Sequence, residues 1–456
     1  MRPTGWHRST YVLVGAVVLV VVALVAAAVA YVNHRSLPPG VKPQPALPAV
    51  SPALAPLPSD APEPDAAKVA AVLSPLAANP NLGTVGALVT DALTGKQLWA
   101  QGENLPLQPA STNKVLTAAA ALLTLDRDAR VTTTVYSSDT PGQVVLKGGG
   151  DPTLSSLPAG TPSWYRDAGR IADLADQVRR AGVTARSVVV DDSAYSGPSV
   201  APGWDTADIE GGNFAPMESV MIDGGRLPPV AVDGQRTPTP ALDAGRALAT
   251  ALGADPATVT VRHAPVEGGK QIASVQSAPL IERLRQMMLD SDNVLAEAIG
   301  REVAASVGEE RSFEGGVKAV LGQLDKAGIN IKGADLVDSS GLSTHDRLTA
   351  TILDGIFAEA AGDNQPKLRP LLDLVPIAGG SGTLSDRYQD SVGRDALGYL
   401  RAKTGSLTGT NALAGVVTDR SGRLLTFAIL SNNAGFSGRN ALDALAEGIR
   451  SCGCTR

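Results

Sequence analysis

Cysteine is nearly absent from this 456-residue chain, with only Cys452 and Cys454 at its extreme C-terminus. A disulfide framework for the core is thereby excluded, and folding must rest on packing alone. The Cys-x-Cys pair reads equally as a strained local bridge, an intermolecular one or two idle thiols. Histidine is scarce too: His7, His34, His263 and His345 are dispersed, no His-Glu-x-x-His or Cys/His cluster occurs, and neither a metal nor another cofactor is implied. The formal charge is −6 and no basic run exists, which argues against a nucleic-acid partner. There is no Gly-x-Ser-x-Gly elbow and no phosphate loop of the GxxxxGK[ST] type. Aromatics amount to 4% of residues, yet 44% are hydrophobic, mostly small and aliphatic, so a sizeable core can form.

Residues 1–35 read as a targeting segment. Arg2 and Arg8 precede an uninterrupted apolar stretch, Tyr11 to Val32, of 22 residues. That is long enough to span a hydrocarbon core of roughly 30 Å and longer than the usual signal-peptide run. The reading favoured is an uncleaved membrane anchor with its arginines in the cytoplasm and the rest of the chain outside. Cleavage after Ala28-Val29-Ala30 is the competing reading, and either way the protein is exported. Residues 36–65 hold ten prolines and form a spacer, so folded structure is expected from about Ala66.

Beyond the spacer, Thr84–Thr90 and Lys96–Gln101 read as a hairpin, followed by an alanine-rich buried helix, Val115–Leu125. Residues 132–273 change texture to short strands among Gly and Pro and read as an inserted, strand-rich domain. Helical periodicity returns over Ala278–Ser306, with Asp290-Ser291-Asp292-Asn293 in its middle. Asp395–Lys403, Ala412–Asp419 and Leu424–Asn432 read as strands, and Arg439–Arg450 as a closing helix.

Chemistry concentrates first at Ser111-Thr112-Asn113-Lys114. A serine at the mouth of a helix sits at the positive end of its dipole, and a lysine three positions on can reach the hydroxyl and take its proton. Alone the pattern is weak, because a Ser-x-x-Lys is expected about once by chance in such a chain and these are ordinary helix-start residues. Its weight comes from two later patterns in fixed order, Ser291-Asp292-Asn293 and Lys403-Thr404-Gly405-Ser406. Ser111 suits an acyl-carrying nucleophile, and Lys114 a base if burial and the neighbouring Lys403 lower its proton affinity. Ser291 suits a proton relay, while Asn293 can hold Lys114 and a substrate amide. Lys403 and Thr404 suit a substrate carboxylate. Gly405 lets the strand approach the substrate backbone.

With this triplet the chain resembles the penicillin-binding proteins and serine β-lactamases. Over about residues 66–450 it is similar to the class C low-molecular-mass penicillin-binding proteins, the D-alanyl-D-alanine carboxypeptidase/endopeptidase family. The stretches that carry this include Gly148-Gly-Gly-Asp-Pro-Thr-Leu154, Ala201-Pro-Gly-Trp204, Asp338-Ser-Ser-Gly-Leu-Ser343 and Ala402-Lys-Thr-Gly-Ser-Leu407. One departure is Thr344, where family members often carry a basic residue. The resemblance implies an α/β fold: a transpeptidase-like catalytic domain of 66–131 and 274–456, with an antiparallel sheet between helices, and an inserted domain of 132–273. It further implies an oxyanion hole from the backbone N–H groups of Ser111 and Ser406. By the same resemblance Asp192 would bind the free ammonium of the peptidoglycan diamino acid, against a plain strand-end turn as the alternative. The expected activity is hydrolysis of the D-Ala-D-Ala end of peptidoglycan stem peptides, with cleavage of D,D-cross-links as a second expectation, through an acyl-enzyme on Ser111 that β-lactams would trap. A serine β-lactamase, or a β-lactam-sensing wall-binding protein without turnover, are the alternatives.

Overall fold

The computed structural model describes residues 60–232, 234–389 and 394–451. The apolar segment 11–32, the linker up to residue 59 and Cys452 and Cys454 lie outside the described residues. Among those described, no helix is long and apolar enough to cross a membrane.

Two five-stranded sheets organise the chain. The first has the order β10-β11-β12-β1-β2 and is antiparallel throughout, with β1 Thr84–Asp91, β2 Gln97–Gln101, β10 Leu400–Leu407, β11 Thr410–Thr418 and β12 Leu424–Asn432. Its centre joins the two ends of the chain, since Thr84 on β1 stands opposite Asn432 on β12. Both faces are covered. Val85, Ala87 and Val89 point toward the terminal helices α1 (Ala66–Ala77) and α9 (Gly438–Ser451), whereas Leu88 joins the core on the other face. Alternation along β1 is thus apolar on both sides, which is why the strand reads as a continuous hydrophobic run. Where β1 ends and β12 begins, Arg423 makes a two-pronged ion pair with Asp91, at 2.9 and 3.0 Å, with both side chains nearly sealed from water.

The opposite face shares one apolar core with α2 (Lys114–Thr124), α5 (Leu280–Asp290), α6 (Asn293–Ser306), α7 (Phe313–Lys326) and α8 (Ala350–Ala361), of which α8 lies directly against β1, β11 and β12. Every residue of α2 from Lys114 to Leu122 is buried. The Ala118–Ala121 run in its middle has no bulk beyond a methyl, so neighbouring helices can crowd around it.

The second sheet has the order β8-β5-β4-β3-β9. Its strands are β3 Thr132–Ser137, β4 Gln143–Lys147, β5 Ser187–Asp191, β8 Thr260–Arg262 and β9 Gln271–Gln276. It is mixed: β4, β5 and β8 run parallel, the return being made by α3 (Ile171–Arg180) and α4 (Pro240–Leu252), and β3 and β9 are antiparallel. A two-residue ladder, β6 Arg226–Leu227 with β7 Gln235–Arg236, stands apart from both sheets. The block is not strung on a linker. Trp204, Phe214 and Met217 from it share an apolar cluster with Val294, Phe313 and Leu342.

Two sequence expectations are corrected. Residues 278–306 are not one helix: α5 stops at Asp290, Ser291 turns left-handed at φ 58°, and Asp292 caps a new helix by accepting from the Leu295 N–H at 3.0 Å. Helical periodicity persists across the break because both halves face the same core, so hydrophobic spacing alone could not reveal it. Similarly, the strand expected over Asp395–Lys403 begins only at Leu400, after a 3-10 turn at Arg394–Ala396.

Candidate active site

Ser111 lies in a 3-10 turn, Ala110–Asn113, that leads directly into α2. Ala110 ahead of it is fully buried at φ 46°, a region that costs a non-glycine residue about 1 kcal/mol or more and that therefore has to be held by its surroundings. What holds it is close packing. A Cβ on Gly405 of β10 would stand 2.6 Å from the Pro109 carbonyl, and one on Gly341 would meet the Ala110 carbonyl at 1.9 Å. Glycine at these two positions is what allows strand and turn to close on the serine. Gly405→Ala is expected to push β10 away from Ser111 and cut the rate of acylation at least about tenfold while the protein stays folded. Stopped-flow acylation beside a melting curve checks it, and an unchanged rate would refute the steric account.

Three side chains on one face of this helix start grip three consecutive carbonyls of the segment 338–340. Asn113 Nδ2 donates to Asp338 O at 3.0 Å, Lys114 Nζ to Ser340 O at 2.8 Å and Thr117 Oγ1 to Ser339 O at 2.6 Å. The segment is shaped by Asp338 itself, whose fully buried carboxylate accepts from the N–H groups of Ser340, Gly341 and Ser343 and from Trp204 Nε1.

Lys114 Nζ also donates to Ser111 Oγ at 2.9 Å and to Asn293 Oδ1 at 2.6 Å. Asn293 passes its own Nδ2–H to the Asn213 carbonyl at 3.0 Å. From the sheet side, Lys403 Nζ donates to Ser291 Oγ at 2.9 Å, and Thr404 shares a hydrogen bond with Thr383, 2.7 Å between hydroxyl oxygens. Gln108, Asn213 and Thr383 join Ser111, Ser291 and Thr404 in walling a cleft of about 750 Å³.

Both amines are fully buried, and burial works against charge on each. Loss of hydration brings Lys114 down to about 8, even though the carboxylates of Asp338, Asp292, Glu297 and Asp346 pull it back up. Lys403 falls well below the usual lysine range through burial, with the charge on Lys114 adding to the effect. The sequence reading named burial and Lys403 together; at Lys114 burial is the lowering cause, and Lys403 is not among the groups that shift it. At pH 7 about one Lys114 in ten is neutral, roughly three hundred times the neutral fraction of a free lysine.

The structure gathers Ser111, Lys114, Ser291, Asn293, Lys403 and Thr404 at this cleft, with Ser406 among its lining residues and Gly405 between them. Asp192 does not line it. The Asp192 carboxylate, 5% exposed, accepts from the backbone and hydroxyl of Ser219 and lies 3.2 Å from His263 Nδ1 at the edge of the second sheet. Sequence reasoning gave no role to Asp338, Tyr165, Arg226 or the Asn213 carbonyl. Asp338 had a legible signal, since Asp before Ser-Ser-Gly is a typical side-chain-to-backbone turn. A backbone carbonyl has none.

Residues 69–238 and 233–450 match the family described as D-Ala-D-Ala carboxypeptidase 3 (S13), and residues 1–56 match a Carboxypeptidase Rv3627c-like N-terminal domain. Carboxypeptidase DacB of Mycolicibacterium smegmatis is 61% identical over 458 residues, covering 100% of both chains. Carboxypeptidase Rv3627c of Mycobacterium tuberculosis is 56% identical over 461 residues, again 100% of both. The fold is similar to the crystal structure of penicillin binding protein 4 (dacB) from Haemophilus influenzae, with a TM-score of 0.67 at 23% identity over 84% of this chain and 97% of that one. On these matches the chain belongs to the D-Ala-D-Ala carboxypeptidase 3 (S13) family of peptidases.

Proposed function

We propose that this serine-type D-Ala-D-Ala carboxypeptidase removes the terminal D-alanine of peptidoglycan stem peptides through an ester on Ser111. The observation that carries the assignment is the pair of buried amines, one on each side of the serine: Lys114 bonded to Ser111 and Asn293, Lys403 bonded to Ser291. Neutral Lys114 takes the Ser111 proton as the hydroxyl oxygen attacks the penultimate D-alanine carbonyl. The backbone N–H groups of Ser111 and Ser406 receive the negative charge that develops on the carbonyl oxygen. Ser291, which Lys403 keeps oriented, hands a proton to the departing D-alanine nitrogen and is made whole by the proton Lys114 took up, so that both groups return to their starting state. Thr404 and Lys403 receive the carboxylate of the leaving residue, and water then resolves the ester. A β-lactam carries an amide and a carboxylate in the same relation and would acylate Ser111 in the same way.

Cleavage of D,D-cross-links is a second reading, supported by a cavity of about 410 Å³ behind Ser291, Asn293 and Thr383. Thr383, bonded to the Thr404 that would meet the leaving group's carboxylate, borders this cavity as well as the cleft, and a second stem peptide would need such room. Asp192, buried and bonded away from the cleft, leaves recognition of the diamino acid to other residues in this reading. The apolar run 11–32 and the proline spacer support an envelope protein whose catalytic part lies outside the plasma membrane, tethered by that run or secreted if it is cleaved. Incubation with a pentapeptide ending in D-Ala-D-Ala and with a cross-linked muropeptide dimer, followed by product analysis, tests the function. Release of D-alanine is expected; its absence from the pentapeptide would end the carboxypeptidase assignment, and an intact dimer would end the second reading alone.

A further inference from the structure

We propose that Tyr165 and Arg226, which belong to the block between the first two motifs, are positioning residues that hold Ser291 and Asn293 in place through Asp292. The inference rests on the function just proposed.

Asp292 is 4% exposed, and each of its carboxylate oxygens is used. One accepts the Leu295 N–H that starts α6. The other accepts the Tyr165 hydroxyl at 2.8 Å and Arg226 Nη2 at 2.9 Å. The ion pair is sealed, with side-chain exposures of 4% and 0%. Arg226 cannot swing away. Its guanidinium stacks 4.1 Å over the Trp164 ring and donates to the Ala231 carbonyl at 3.2 Å, closing the β6–β7 hairpin. A third contact from the same block, the Asn213 carbonyl, fixes the Asn293 amide.

These bonds sit where the chain does something its residues would not choose. The flanking sequence favours uninterrupted helix, yet Ser291 is left-handed, a conformation a serine keeps only when its surroundings impose it. Left-handed Ser291 is what turns its hydroxyl to Lys403, and the restart at Asp292 is what places Asn293 on Lys114. An anionic Asp292 bonded three ways supplies the imposition, because a buried carboxylate cannot be moved off its partners without a large penalty. Tyr165 and Arg226 touch none of the reacting atoms. They act on the reaction through the turn.

The test measures acylation by a fluorescent penicillin and D-alanine release, each normalised to folded protein, together with melting temperature. Tyr165→Phe keeps the ring and removes one hydrogen bond; a loss of roughly tenfold in the acylation rate constant is expected, with half-saturation nearly unchanged. Arg226→Met takes away the one cation in direct contact with the carboxylate, with Arg236 left as the nearby opposite charge, and is expected to lose about a hundredfold or more, Arg226→Lys markedly less. Adding Asp292→Asn to Arg226→Met removes the carboxylate's charge and keeps the helix cap, so at least about tenfold should return. Folded Tyr165→Phe and Arg226→Met proteins that acylate at the wild-type rate, or a double variant no faster than Arg226→Met, would overturn the proposal by showing only a structural role. A wild-type protein that takes up no penicillin and releases no D-alanine would overturn the function and this inference together, a distinguishable result.

Discussion

Ser111→Ala is expected to abolish covalent uptake of penicillin and to lower D-alanine release by roughly 10⁴–10⁶-fold. The size follows from the geometry. The oxygen that attacks is the same atom that carries the acyl group, so its removal deletes a covalent path rather than weakening a contact. What would remain is binding in the cleft and the two backbone donors, which leave only a residual rate above that in water. The side chain is only partly buried, so loss of one hydroxyl leaves packing of the 3-10 turn almost untouched and stability should change little. Lys114 would then donate to Asn293 and Ser340 alone. Gel fluorescence after incubation with labelled penicillin reads the first effect and D-alanine release the second. Equal labelling of both proteins would transfer the nucleophile elsewhere and undo the reading of the site.

The second large effect concerns the proton. Lys114 can accept one only when neutral, and burial sets that threshold at about 8. Below it the amine is an ammonium and the acylation rate should fall about tenfold per pH unit; above it the rate should level off. A β-lactam that does not titrate in this range is the suitable substrate, since the limb then belongs to the enzyme. Lys114→Ala and Lys114→Arg should both lose about a thousandfold, the arginine because its guanidinium never becomes neutral. If Lys114→Arg kept most of the rate, or if the wild-type limb lay near pH 5, the base would be another group.

What could be read in the sequence and what could not divide along a physical line. Ser111 and Lys114 were legible because their relation is local, one turn apart where a 3-10 turn runs straight into a helix. The three motifs were legible as an ordered set, and the hairpin and the C-terminal strands as apolar runs broken by turns, while their union in one antiparallel sheet was implied by the resemblance alone. The break at Ser291 was hidden, since its cause lies far along the chain in Tyr165, Arg226 and Lys403. Burial was named in advance as a means of lowering the proton affinity of Lys114, but how deeply the amine is enclosed is something no spacing of residues records. The parallel strands β4, β5 and β8 were visible as strands but not as partners, because pairing across long crossovers leaves no pattern of its own. Asp192 entered by likeness to other proteins alone, and its neighbours Ser219 and His263 account for its carboxylate within the second sheet.

The pairing of β1 with β12 sets an order of events during synthesis. Thr84 has no partner on that side until Asn432 has been made, so the strands nearest the start of the folded part wait, with one edge bare, for almost the whole chain to follow. The second sheet faces no such delay, for its strands all fall between residues 132 and 276 and can close among themselves. Ser111 is translated early, but Ser291 and Lys403 arrive late. The growing polypeptide therefore holds a harmless serine, and the power to cut a peptide or capture an antibiotic switches on only after the last strands have slotted beside the first.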